Sequence, residues 1–128
     1  MRRSFNVPGY GHGANPIPGA ARIGDVAMSG GISGIDLATG KMPDDIEQQC
    51  SNMFALIGLT VAETGLSIDE IIKVSVSLRS GMTREALNRE WVKTFPDPHS
   101  RPVRHVQIND NLPVGMLVQC EFIAVAAK

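Results

Sequence analysis

The chain has 128 residues, with 12 Lys and Arg against 13 Asp and Glu, and it is 43% hydrophobic and 20% charged. That length suits one domain spanning residues 1–128, and that composition fills a core and excludes a disordered tail. A formal charge of -1 suits the chain poorly to nucleic-acid binding by electrostatics alone, because that interaction needs a basic surface, and leaves only a local patch open.

From the N-terminus, Met1-Arg2-Arg3-Ser4-Phe5 is basic but lacks a following apolar stretch, so it does not read as a secretory signal. Residues 1–19 carry Pro8, Pro16 and Pro18 among several glycines, which predicts an ordered loop instead of a strand. Ala20–Ile23 and Val26–Ser29 flank Gly24-Asp25 and predict a tight hairpin, with Ile32 to Ile35 continuing the strand and Asp36–Lys41 forming a turn. Pro43-Asp44-Asp45 supplies a first-turn proline and acidic residues for the positive end of a helix dipole. Ile46, Cys50, Met53, Phe54, Ile57, Val61 and Ala62 then recur at helical spacing until Gly65 stops the helix.

Ser67–Glu70 leads into Ile71–Leu78, where Ile72, Val74, Val76 and Leu78 alternate with Lys73, Ser75 and Ser77 as a half-buried strand. Thr83 is placed to cap a second helix over Arg84–Phe95, with Leu87, Trp91 and Phe95 on one stripe and Pro96 ending it. Strands are predicted at Val103–Ile108 and Gly115–Ala126, joined through a turn at Pro113-Val114-Gly115. Met28, Met53, Met82 and Met116 read as gap-fillers of the core. The order β-β-α-β-α-β-β gives an α+β domain with two helices on one face of a mixed sheet. Its other face needs cover, and a small chain with only 5% aromatic residues is expected to find it in another subunit.

Two cysteines, Cys50 and Cys120, do not make a disulfide scaffold, and no cysteine–histidine spacing suggests a metal site. Cys50 lies on the apolar helix face and Cys120 reads as a packed thiol. Gly9-Tyr10-Gly11-His12-Gly13 neither follows a strand nor opens a helix, and it lacks a phosphate-binding lysine, so it is not a phosphate loop. The longest apolar run, Phe122–Ala127, is far below the ~20 residues of a membrane span. The expected location is cytoplasmic.

Several stretches together resemble the Rid family, the YjgF-like reactive-intermediate imine deaminases: Ser29-Gly30-Gly31-Ile32, Thr39-Gly40, Asn52-Met53 to Gly65, Ile71–Leu78, Asn88, Pro102-Val103-Arg104, Leu112-Pro113 and Cys120–Val125. The resemblance covers essentially the whole chain. It implies a chorismate-mutase-like fold assembling as a homotrimeric barrel with ligand clefts between subunits. It further implies hydrolysis of a small carboxylate-bearing enamine or imine to a 2-oxo acid and ammonia, without metal or organic cofactor.

On the residues alone, Arg104 would be a surface or interface ion-pair partner. The resemblance makes it the arginine that grips the substrate carboxylate, a role suited to a permanently charged fork. Ser29, Gly30, Gly31 and Ile32 match the strand-end segment of the cleft, and Asn88 matches a polar position on the second helix. The family's Glu-x-Glu is Gln119-Cys120-Glu121 here, and its cleft tyrosine aligns with Ile17. Gln119 can orient a water but cannot take its proton. These departures fit a divergent subgroup, with a non-catalytic carboxylate binder or sensor as the alternative. His105 is expected on the sheet face opposite Arg104, as a hydrogen-bonded core or interface residue, and His12 is placed where it could supply the missing base. RNA cleavage, attached to some members, is disfavoured by the near-zero charge.

Overall fold

Short β-rich runs separated by glycine turns assemble one mixed sheet, which the computed structural model describes together with its helices over residues 1–127. The strands are β1 (Arg3–Phe5), β2 (Ala20–Ile23), β3 (Val26–Ser29), β4 (Ile32–Ser33), β5 (Ile71–Leu78), β6 (Val103–Ile108) and β7 (Val118–Val125). The helices are α1 (Ile46–Glu63) and α2 (Glu85–Thr94), and a 3-10 turn at Ile68–Glu70 precedes β5. The strand order is β1-β2-β3-β7-β5-β6, with β4 also pairing with β7. All neighbours are antiparallel except β5 and β6, whose parallel pairing is made possible by the α2 crossover.

The fold class is the α+β arrangement read from the sequence. Both helices cover one sheet face. Alternation along β7 sends Val118, Cys120, Phe122 and Ala124 into the core, and β5 adds Val74, Val76 and Leu78. Helix α1 lays Cys50, Met53, Phe54, Ile57 and Val61 onto them, and α2 contributes Leu87 and Trp91. Trp91 meets Phe54 and Phe95 edge-on, with ring centroids 6.4 and 4.8 Å apart. Thr64 ends α1 and Gly65 follows at φ +83, the left-handed conformation a glycine adopts without a Cβ clash.

Local details depart from the sequence reading. Arg3–Phe5 is an edge strand on β2 and not loop, since the prolines begin only at Pro8. Ile72 does not join the core face: a register shift between Ile71 and Lys73 bulges it outward, 52% exposed, and Ile71 takes its place. Pro43 lies outside α1, whose cap is Asp45, accepting from Gln48 N at 3.0 Å. Ala62 is exposed, while Gln49 is fully buried. Helix α2 starts at Glu85 after Arg84 with no side-chain cap, so Thr83 does not fill that role. Strand β7 begins at Val118, because residues 113–116 are spent on a turn closed by Met116 N to Pro113 O at 3.0 Å. The extension past Ile32 stops at Ser33. Met28 is 51% exposed on the uncovered face, since Ala27 is the β3 residue that enters the core.

Both thiols are core groups. Burial, reinforced by Glu90 and Glu47, pushes Cys50 up to about 12, and burial pushes Cys120 up as well. Neither is a thiolate at neutral pH. Both are expected to resist a chromogenic disulfide reagent in the native protein and to react fully once it is unfolded. Rapid labelling of native protein would contradict this.

Candidate functional site

The predicted site residues fall into two groups on opposite sides of the sheet. The first is built on the edge strand β6. Its alternation turns Arg104 and Val106 toward the helices and His105 and Gln107 away from them. The Arg104 guanidinium carbon lies 5.0 Å from the Trp91 ring centroid, a cation–π stack. Its Nη2 donates to Asn88 Oδ1 at 2.8 Å. Nη1 is buried and has no hydrogen-bond partner among the described residues. Arg104 forms no salt bridge there either. Burial lowers its pKa, and the neighbouring charge of Arg84 acts in the same sense. This is a partly desolvated cation, fixed in direction by Trp91 and Asn88, with one face of its fork unused. Arg101, by contrast, is occupied in bonding Phe95 O at 2.7 Å and Pro96 O at 3.3 Å.

The second group lies on the sheet face that carries no helix. Register places Ser75 between His105 and Glu121, and Ser77 between Gln107 and Gln119. These two polar rows form the floor of a groove of about 390 Å³ that reaches Gly31. His105 is exposed in this groove, so it is not a core histidine. Cys120 faces the other way, as period-2 alternation requires. Gln119 packs directly against Gly31: a Cβ added there would stand 2.8 Å from Gln119 Nε2.

The N-terminal loop closes one end of this group. Tyr10 Oη donates to Gly31 O at 3.1 Å and accepts from Ser33 N at 3.2 Å. Gly30 N donates to Gly19 O at 2.9 Å. The Ser29 hydroxyl is taken up by Phe122 N at 2.9 Å, and Ile32 buries its side chain in the core, leaving backbone as what Ile32 can offer a ligand. Ile17 stands 54% exposed on the loop.

Within one chain, Arg104 and Gln119 cannot contact the same small molecule. Strand β5 separates their strands and their register positions differ by three residues, Val74 against Ser77, which puts them about 14 Å apart in the sheet. They also point to opposite faces. Sequence reasoning missed Trp91 as the platform under Arg104, which it read only as core, and it missed Ser75, Ser77, Gln107 and Tyr10. The serines were visible as the polar half of an alternating strand, but nothing in the sequence gave the strand order that makes them a floor. Among the described residues no group of three or more His, Cys, Asp or Glu could hold a metal ion.

Comparison with known proteins gives the family and the fold. The family model described as endoribonuclease L-PSP matches residues 14–126. The chain belongs to this family, the YjgF/RutC or Rid family. It is 24% identical to a RutC family protein of Aquifex aeolicus over 123 residues, covering 96% of this chain and 98% of the relative. Its fold is similar to that of RidA from an Antarctic Psychrobacter, with TM-score 0.87 and 22% identity over 97% and 99% of the two chains. It is similar also to Escherichia coli TdcF with bound serine, with TM-score 0.87 and 21% identity over 98% and 99%. These two structural likenesses establish the fold of a Rid protein. No helix among the described residues is long and apolar enough to cross a membrane.

Proposed function

We propose that this Rid protein hydrolyses a small carboxylate-bearing enamine or imine to a 2-oxo acid and ammonia, as a cytoplasmic homotrimer with its sites between subunits. The observation that carries the reading is Arg104: a half-buried guanidinium, stacked on Trp91 and tied to Asn88, whose Nη1 has no partner among the described residues. Leaving a buried charged donor unpaired is costly, and a planar carboxylate would satisfy it with two parallel bonds. A bound serine in TdcF supports the same ligand class, an α-substituted carboxylate of a few atoms.

The need for a second copy follows from placing Gln119 and Gly31 opposite Arg104. Strand β6 leaves its outer edge unpaired beside Arg104, and Ile23, Val26 and Met28 are exposed on the uncovered face, which supports association there. In the assembled cleft, Arg104 and Asn88 of one copy would hold the carboxylate. Gly30, Gly31, Ile17 and the backbone at Ile32 would line the opposite wall, with Ser29 fixing that wall to β7 and Glu121 at the groove end. Gln119 would orient a water toward the imine carbon. An iminium carbon is already electrophilic, so positioning supplies much of the catalysis. The water oxygen bonds to carbon, the C=N electron pair moves to nitrogen, and the C–N bond then breaks to release ammonia.

Gln119 favours a second reading, a carboxylate sensor without turnover. Ammonia release from freshly generated imines, measured beside the thermal shift produced by 2-oxo acids, separates the two. Release above the uncatalysed rate is expected; binding without release would make the protein a sensor. Gly31→Ala tests the wall: its Cβ would displace the Gln119 amide while the backbone stays allowed. Turnover is expected to fall by up to about 100-fold, the order of effect of a misplaced reactant, with an unchanged melting temperature.

A further inference from the structure

The N-terminal loop holds one polar atom that the proposed hydrolysis leaves unused. His12 Nε2 is buried and has no hydrogen-bond partner among the described residues. Buried polar atoms are nearly always paired, so an orphan of this kind stands out as a nitrogen with unused bonding capacity. Its position is specific: a Cβ built on Gly30 would stand 3.9 Å from Nε2, so the imidazole lies against Gly30, next in the chain to the Gly31 that packs on Gln119. The ring is held edge-on against Tyr10, with centroids 5.7 Å apart and planes at 72°. Tyr10 is itself bonded to Gly31 O and Ser33 N. Asn15 N donates to His12 O at 3.2 Å and closes the loop behind it. The ring is therefore fixed by its neighbours, and its free nitrogen is not.

The charge inventory around it is sparse. Tyr10 is the titratable group in ring contact with His12, Gly30 and Gly31 present backbone alone, and Gln119 is a neutral amide. A proton taken from water must go to a basic atom, which a neutral amide lacks and a neutral imidazole offers. We propose that His12 is the proton-transfer residue of the imine-hydrolysing site, an assignment that rests on the hydrolase reading and supplies the base that Gln119 cannot be.

The step balances as follows. Neutral His12 Nε2 accepts a proton from water as the oxygen bonds to the iminium carbon and the C=N pair moves to nitrogen. The imidazolium returns that proton to the amine of the carbinolamine. The C–N bond breaks with its electron pair leaving on ammonia, the hydroxyl proton passes to the imidazole as the carbonyl forms, and ammonia carries it away as ammonium.

The test uses His12→Gln and His12→Gly in the full chain, with Arg104→Ala in parallel. Both His12 variants are expected to lose about 100-fold in kcat, the low end of general acid–base catalysis, with KM changed less than threefold. Added imidazole should restore part of the rate to His12→Gly and none to His12→Gln, whose side chain fills the space. Wild-type turnover should decline on acidification, and His12→Gln should lose that limb. Arg104-dependent ammonia release that survives His12→Gln would overturn the His12 assignment alone. Absence of any Arg104-dependent release would overturn the hydrolase reading and this proposal with it.

Discussion

Arg104→Ala is expected to lower the affinity for a 2-oxo acid such as 2-oxobutyrate by about 100-fold and to abolish ammonia release, with the fold intact. The size follows from what the side chain does. A charge-assisted, two-pronged contact in a partly desolvated site contributes on the order of 3 kcal/mol, and each 1.4 kcal/mol is tenfold in affinity. The stability cost is small because Arg104 satisfies no anion among the described residues: it gives up one bond to Asn88 and the stack on Trp91, and it relieves a buried unpaired donor and the repulsion of Arg84. Those effects oppose each other, and the net change should lie within about 1 kcal/mol, as for most substitutions outside the core. Arg104→Lys is the sharper comparison. It keeps the charge but offers neither the fork nor a planar face for Trp91, so about tenfold of affinity should still be lost. Calorimetric titration of both variants against wild type decides the matter. Wild-type affinity in Arg104→Ala would show that Arg104 is not the carboxylate ligand.

The comparison of sequence with structure is clearest at these same residues. Period-2 alternation put Arg104 and His105 on opposite faces, Gln119 beside Glu121, and Cys120 in the core, and each stands there. Helical spacing found α1 and α2 and the Leu87–Trp91–Phe95 stripe. What failed was local. The alternation of Ile72 with Val74 looks regular because a bulge leaves no compositional mark; only pairing against β7 shows the extra residue. The Pro43-Asp44-Asp45 run resembles a helix start, but the first residue with a capping geometry is Asp45, so the proline sits before the helix. Partners distant in sequence were also out of reach. The polar floor needs β5 to lie between β6 and β7, and no property of those segments taken singly fixes that order. His12 was visible only as a base in want of a place; its burial against Gly30 comes from the loop's path.

Gln49→Ala is expected to be the most destabilising of the substitutions considered, by about 4 kcal/mol, and it tests a polar residue that helix periodicity overlooks. Gln49 is fully buried on α1 and bonds at both ends of its amide. Nε2 donates to Pro43 O at 2.6 Å and to Gly115 O at 2.9 Å, and Oε1 accepts from Leu117 N at 2.8 Å. One side chain thereby ties the start of α1 to the turn that feeds β7. The same helix turn is pressed against Gly34, where any Cβ would overlap the Gln49 backbone, so α1 cannot slide to compensate. Truncation would strand two carbonyls and one amide without water, each at about 1–3 kcal/mol and not additively, and would leave a cavity. Gln49→Glu separates the causes: it keeps the acceptor for Leu117 N and the volume but loses both N–H donors, and it should cost less than alanine only if it is protonated, when its O–H can serve one of the two carbonyls. The measurement is denaturant unfolding at fixed protein concentration, because association would contribute to apparent stability. A lower midpoint at unchanged slope is expected for Gln49→Ala. A loss below about 1 kcal/mol, the level of an ordinary surface change, would mean that the turn at residues 113–116 holds its shape without Gln49.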